Sequence, residues 1–147
     1  MTSVYHTAAG LGALATWVAA VEVAGLVDLL KGDDYVTVFA PTDEAFAKLP
    51  RHWVEDLLSD FEKFTANICY HIAPGRIMIG EMARLNSLRT LLKDDLLIDA
   101  SRGLQINRAR VIEPNIECRN GVIHVIDSVL TLKQRSKVRA GRFAVRQ

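Results

Sequence analysis

The chain has 147 residues, half of them apolar, with 18 basic and 17 acidic residues for a formal net charge of +1. That composition excludes a disordered chain, and the length suits a single hydrophobic core that needs neither a disulfide nor a metal for stability. The overall charge nominates no nucleic-acid partner, yet it is unevenly spread: Lys133, Arg135, Lys137, Arg139, Arg142 and Arg146 fall in the last 15 residues with no acid among them. The rest keeps 12 basic against 17 acidic residues, a net of −5. The expected organisation is therefore one domain over residues 1–132 and a basic, flexible C-terminal tail over residues 133–147.

The uncharged stretch over residues 7–21 is shorter than the roughly 20 residues of a membrane span, and Glu22 and Asp28 follow it. No Lys or Arg precedes the stretch, so it does not read as a secretory signal either. Cys69 and Cys118 allow at most one bridge and lack the paired spacing of zinc or redox sites.

In chain order, Leu11, Leu14, Val18 and Val21 recur at steps of three and four and predict a helix continuing past Gly25 to Leu30, stopped by Gly32. Residues 35–40 form a β-rich run ended by Pro41, and Thr42 or Asp43 can cap a short helix through Phe46. Pro50 suits the first turn of the next helix. Trp53, Leu57, Phe61, Phe64 and Ile68 continue the helical spacing, with Ser59 and Glu62 as a capping box that divides two helices. Pro74 and Gly75 close the helical half.

From Leu88 the pattern becomes short apolar runs at 88–92, 96–100, 103–106, 109–118 and 122–130, which predict strands. Asn120-Gly121 is the strongest hairpin signal, because a type I′ turn needs positive φ at both central residues. A phase change near Asn107-Arg108 predicts a second hairpin, although Arg is unsuited to such a turn. Helices followed by strands indicate an α+β domain.

Thr37-Val38-Phe39-Ala40-Pro41-Thr42-Asp43-Glu44-Ala45-Phe46 closely resembles the first signature of the fasciclin-like (FAS1) domain family. Tyr70-His71 resembles its central motif, and the run from Asn120-Gly121 through His124-Val125-Ile126-Asp127 to Leu130 resembles its C-terminal signature. The resemblance spans roughly residues 11–132. It implies a wedge-like β-sandwich of short strands with several helices along it. It also implies a non-enzymatic, extracellular or cell-envelope module for adhesion or matrix interaction, with protein or polysaccharide partners and no cofactor. Binding in animal members is attributed to the Tyr-His region, here Tyr70 and His71, and to a segment here represented by Asn115 and Ile116. Asn115 stands where the integrin-type motif has Asp, and a neutral amide cannot replace a metal-coordinating carboxylate, which argues against an integrin contact.

The remaining candidates favour architecture. His71 ends an apolar helix and is expected to be a buried structural residue, with Asp43 its partner by family resemblance. His124 and Asp127 invite a catalytic reading with Ser128 or a cysteine as nucleophile. However, residues 124 and 127 point to opposite faces of a strand, and no GxSxG elbow is present. The four histidines have no i,i+4 pairing, so no metal site is expected. The resemblance also implies a second class of function, binding of a small apolar ligand such as a carotenoid or lipid, for which Trp17, Phe64 and Tyr70 are the candidate pocket residues. The tail is expected to make weak electrostatic contacts with anionic surfaces, without sequence-specific binding of nucleic acid.

Overall fold

The computed structural model describes residues 2–131. The tail expected at 133–147 lies outside the described residues, which comprise seven α-helices and seven strands. The first half holds α1 (Val4–Ala9), a 3₁₀ turn at Gly12–Leu14, α2 (Ala15–Ala24), α3 (Val27–Lys31), β1 (Val36–Pro41), α4 (Asp43–Ala47), α5 (Arg51–Leu58) and α6 (Phe61–Cys69). Then come β2 (Ile72–Pro74), α7 (Ile79–Met82), β3 (Ser87–Arg89), β4 (Asp95–Asp99), β5 (Gln105–Ile106), β6 (Ala109–Cys118) and β7 (Gly121–Ile126). The α+β expectation holds, with helices mainly in the first half.

The strands run in the order β2-β1-β7-β6-β5-β4-β3. β1 and β7 pair in parallel from Val36↔Gly121 to Pro41↔Ile126, and the other pairings are antiparallel. All six residues of each of these two central strands are buried, as a strand covered on both faces requires. Alternation divides their side chains between two cores. Val36, Val38, Ala40, Ile123 and Val125 meet Trp17, Val21, Leu30 and Ile68 of the helices. Phe39 and Ile126 meet Leu96, Ile98 and Ile106 from β4 and β5. One continuous strand order thus packs its far end back over its centre. The register shifts along β6 between Val111 and Glu113 and between Glu113 and Ile116 are the irregularities that allow the bend.

Several local expectations are corrected. The first helix does not run through: Gly25 sits at φ 77°, a left-handed cap that ends α2, and α3 starts afresh. The helix α6 is capped by Asp60, whose carboxylate accepts from the amides of Glu62 and Lys63, while the Ser59 hydroxyl donates to the Asp56 carbonyl. Pro50 occupies the cap position of α5, one residue before its first turn, and Thr42 caps α4 by accepting from the Ala45 amide. The short elements α1, β2 and α7 were too brief to show a period.

The two hairpin turns exchange roles. Arg119 and Asn120 are the two loop residues joining Cys118 to its partner Gly121, and neither has positive φ. Gly121 is instead required by close approach, since a Cβ there would lie 2.0 Å from the Val36 carbonyl oxygen. Asn120 is the knot of this corner: its amide donates to the Leu30 and Gly32 carbonyls, its side-chain oxygen accepts from the Val4 amide, and its own carbonyl accepts from Val36. Positive φ at both central residues occurs at Asn107 (58°) and Arg108 (129°), which join the paired Ile106 and Ala109.

Candidate functional site

Tyr70 and His71 follow α6 and are 1% and 0% exposed, so neither side chain can touch a partner directly. His71 Nδ1 donates to the Asn67 carbonyl at 2.8 Å, which leaves Nε2 to accept from the Leu130 amide at 3.0 Å. The Asn67 side chain donates to the Leu130 carbonyl at 2.8 Å, so both backbone groups of Leu130 are clamped to α6. Burial pushes the His71 pKa down to about 4, against a smaller upward effect of the Asn67 carbonyl. The imidazole is therefore neutral with its proton on Nδ1. Trp17 packs 5.4 Å from its ring. The partner expected from resemblance, Asp43, is elsewhere engaged: its carboxylate accepts from the Thr16 amide at 2.7 Å and ties α4 to α2.

Tyr70 faces the other core. Its hydroxyl donates to the Asp95 carbonyl at 3.0 Å and accepts from the Asn107 side chain at 2.9 Å. The Asn107 side-chain oxygen accepts from the Leu97 amide at 2.7 Å. Trp17 and Phe64 belong to the helix-side core and Tyr70 to the opposite one, so the three do not line one apolar pocket.

These two braces converge. A hollow of about 130 Å³ is walled by residues 107–109 on one side and residues 128–131 on the other. Tyr70 holds the first wall through Asn107, and His71 holds the second through Leu130. Asp127 ties the walls together: its carboxylate accepts from the Arg110 amide at 2.8 Å and from the Ser128 hydroxyl at 3.2 Å. At the rim, Lys48 Nζ lies 3.4 Å from the Ser128 hydroxyl. Arg108 is exposed and holds a φ that only glycine adopts without strain, at a cost of about 1–3 kcal/mol.

His124 has the complementary tautomer. Its Nε2 donates to the Ile77 carbonyl at 2.9 Å and its Nδ1 accepts from the Asn115 amide at 3.1 Å, while its ring stacks on Phe39. Burial lowers its pKa, opposed by the Ile77 bond. His124 and Asp127 therefore serve different backbone partners and form no relay. The Asn115 side chain accepts from the Ile79 amide at 2.9 Å, and Ile116 packs half-buried against the helix-side core, so this segment is occupied in holding the start of α7. The cysteines are unbridged, and burial raises both thiol pKa values, away from nucleophilic thiolate. Among the described residues no group of three or more His, Cys, Asp or Glu side chains could hold a metal ion, and no helix is long and apolar enough to cross a membrane.

The sequence profile of the Fasciclin domain matches residues 12–132. The chain belongs to the fasciclin domain family. This fasciclin domain is 38% identical over 117 residues to the uncharacterized protein sll1735 of Synechocystis sp., covering 80% of this chain and 88% of that one. It is 33% identical over 107 residues to the cell surface glycolipoprotein MPB83 of Mycobacterium bovis, covering 71% of this chain and 47% of that one. It is 35% identical over 114 residues to the transforming growth factor-beta-induced protein ig-h3 of Sus scrofa, covering 77% of this chain and 17% of that one. In fold it is similar, with a TM-score of 0.69 at 18% identity, to a FAS1 domain pair from the insect cell adhesion molecule fasciclin I, over 90% of this chain and 52% of that one. Within this fasciclin domain, the Tyr-His motif braces two surface segments from beneath. The hollow itself, with Arg108, was missed by sequence reasoning; the only signal was an Arg at a turn that disfavours it.

Proposed function

We propose that this fasciclin domain is a non-enzymatic module of the cell surface or extracellular matrix that mediates adhesion or matrix interaction through a protein or polysaccharide partner. The observation that carries this reading is that Tyr70 and His71, the motif residues, are buried supports for a surface hollow rather than reactive groups. The two buried histidines, His71 and His124, are each bonded to backbone through both ring nitrogens, which removes the proton-transfer freedom that general acid–base catalysis needs. The relationship to a mycobacterial cell surface glycolipoprotein supports a location in the envelope.

On this reading the domain occupies residues 1–132, and the basic residues of 133–147 add a weak, salt-sensitive attraction to anionic surfaces. Integrin recognition is not part of it, because Asn115 lacks the carboxylate and is engaged with Ile79. The test is fractionation of the native host followed by binding of the purified chain to isolated envelope or matrix material. Recovery in the envelope or exterior with saturable binding is expected. A wholly cytosolic protein with no such binding would overturn the reading.

A further inference from the structure

The hollow between residues 107–109 and 128–131 has a neighbour of about 200 Å³ lined by Leu97, Asp99, Gln105, Asn107 and Arg108. Asn107 and Arg108 line both, so they form the ridge between two adjoining depressions. The Asn107 side chain is spent on Leu97 and Tyr70 and serves as a fixed post. The side chains of Arg108 and Gln105 make no hydrogen bond or ion pair to any described residue, which leaves a guanidinium and an amide available beside the hollows. Leu97, 66% exposed, adds an apolar platform, and Asp99 keeps an acceptor group at the rim.

We propose that this paired hollow is a binding site for a carboxylated saccharide of the uronate type, with the carboxylate on Arg108 and consecutive rings in the two depressions. This rests on the reading of the domain as a binding module and names its ligand class. Three features select it. The arginine fork matches a carboxylate with two parallel hydrogen bonds, which a point charge cannot do. Amide, carboxylate and hydroxyl groups beside an exposed aliphatic surface suit a sugar ring, which has hydroxyls at its rim and C–H groups on its faces. An extended acidic peptide is disfavoured, because β4, β5 and β6 are interior strands with neighbours on both sides and offer no edge for strand addition. The backbone strain at Arg108 gives the site an internal control. Glycine fits φ 129° better, so Arg108→Gly removes the guanidinium while relieving the turn.

The experiment is an NMR titration of the full chain with digalacturonic acid, with a neutral disaccharide and a Glu-Glu dipeptide as parallel arms. Two charges are too few for the tail to hold by avidity. Digalacturonic acid is expected to shift amides of residues 97–99, 105–109 and 128–131. Arg108→Gly should lose at least tenfold in affinity with no loss of thermal stability, and Arg108→Lys should lose severalfold. Shifts confined to residues after 132, unchanged affinity in Arg108→Gly, or equal binding of the neutral sugar or the dipeptide would overturn the proposal. Binding to native envelope material is measured in parallel. If the wild type binds that material but not digalacturonic acid, the site assignment falls and the binding-module reading stands. If the wild type binds neither, both fall.

Discussion

Acidification should destabilise the domain through His71, and replacing that residue should remove the effect. The folded pKa of about 4 lies below the ordinary value of 6.5, so the unfolded chain binds the proton more readily. Stability from this group is complete above about pH 6.5 and falls as the pH drops toward 4. A gap of about 2.5 units corresponds to about 3 kcal/mol lost between pH 7 and pH 4. The structural cause is that protonation puts a second donor on Nε2, which faces the Leu130 amide and has no acceptor there. His71→Ala should cost about 1–3 kcal/mol at pH 7 by leaving that amide unpaired. Urea titrations of both proteins at pH 7, 5.5 and 4 give the difference between them, which cancels most other titrating groups. That difference should shrink steadily with acid and approach zero or reverse sign by pH 4. A difference independent of pH would refute the assignment of a buried neutral imidazole. His124, also lowered by burial, should contribute in the same direction and remain in the variant.

Gly121→Ala should destabilise the fold by at least about 1–3 kcal/mol in denaturant titrations, because its methyl would collide with the Val36 carbonyl where the parallel pair begins. Tyr70→Phe should cost about 1–2 kcal/mol by removing the hydroxyl shared by Asp95 and Asn107, and amide exchange should rise at residues 107–109. Truncation after Leu132 should leave thermal unfolding unchanged and weaken cosedimentation with anionic vesicles at low salt; equal binding by both forms across a salt series would return that attraction to the domain surface.

What was legible in the sequence was what depends on local pattern. The β6 boundaries from Ala109 to Cys118, the run ending at Pro41 and the Thr42 cap follow from alternation, a missing donor and a side-chain acceptor. Partner choice was not legible, because it depends on three-dimensional proximity. Asp43 and His71 both serve the helix layer, yet each bonds the backbone nearest to it, Thr16 for one and Asn67 with Leu130 for the other. The two turns show the same limit. Asn-Gly at 120–121 has the composition of a type I′ turn, but Gly121 is needed for contact with Val36. The positive φ values of a tight turn fell on Asn107, which suits one, and on Arg108, where local propensity argues for glycine. A local rule broken at an exposed position beside a hollow is itself informative, since strain there is compensated by the Tyr70–Asn107 brace.

On the proposed reading, the domain binds through the surface its buried Tyr-His motif supports. Amide hydrogen exchange of the full chain, with and without envelope or matrix material isolated from its host, tests this most directly. Binding should protect residues 105–109 and 128–131 and leave residues 113–117 unchanged. Protection confined to 113–117, or to the tail alone, would contradict it.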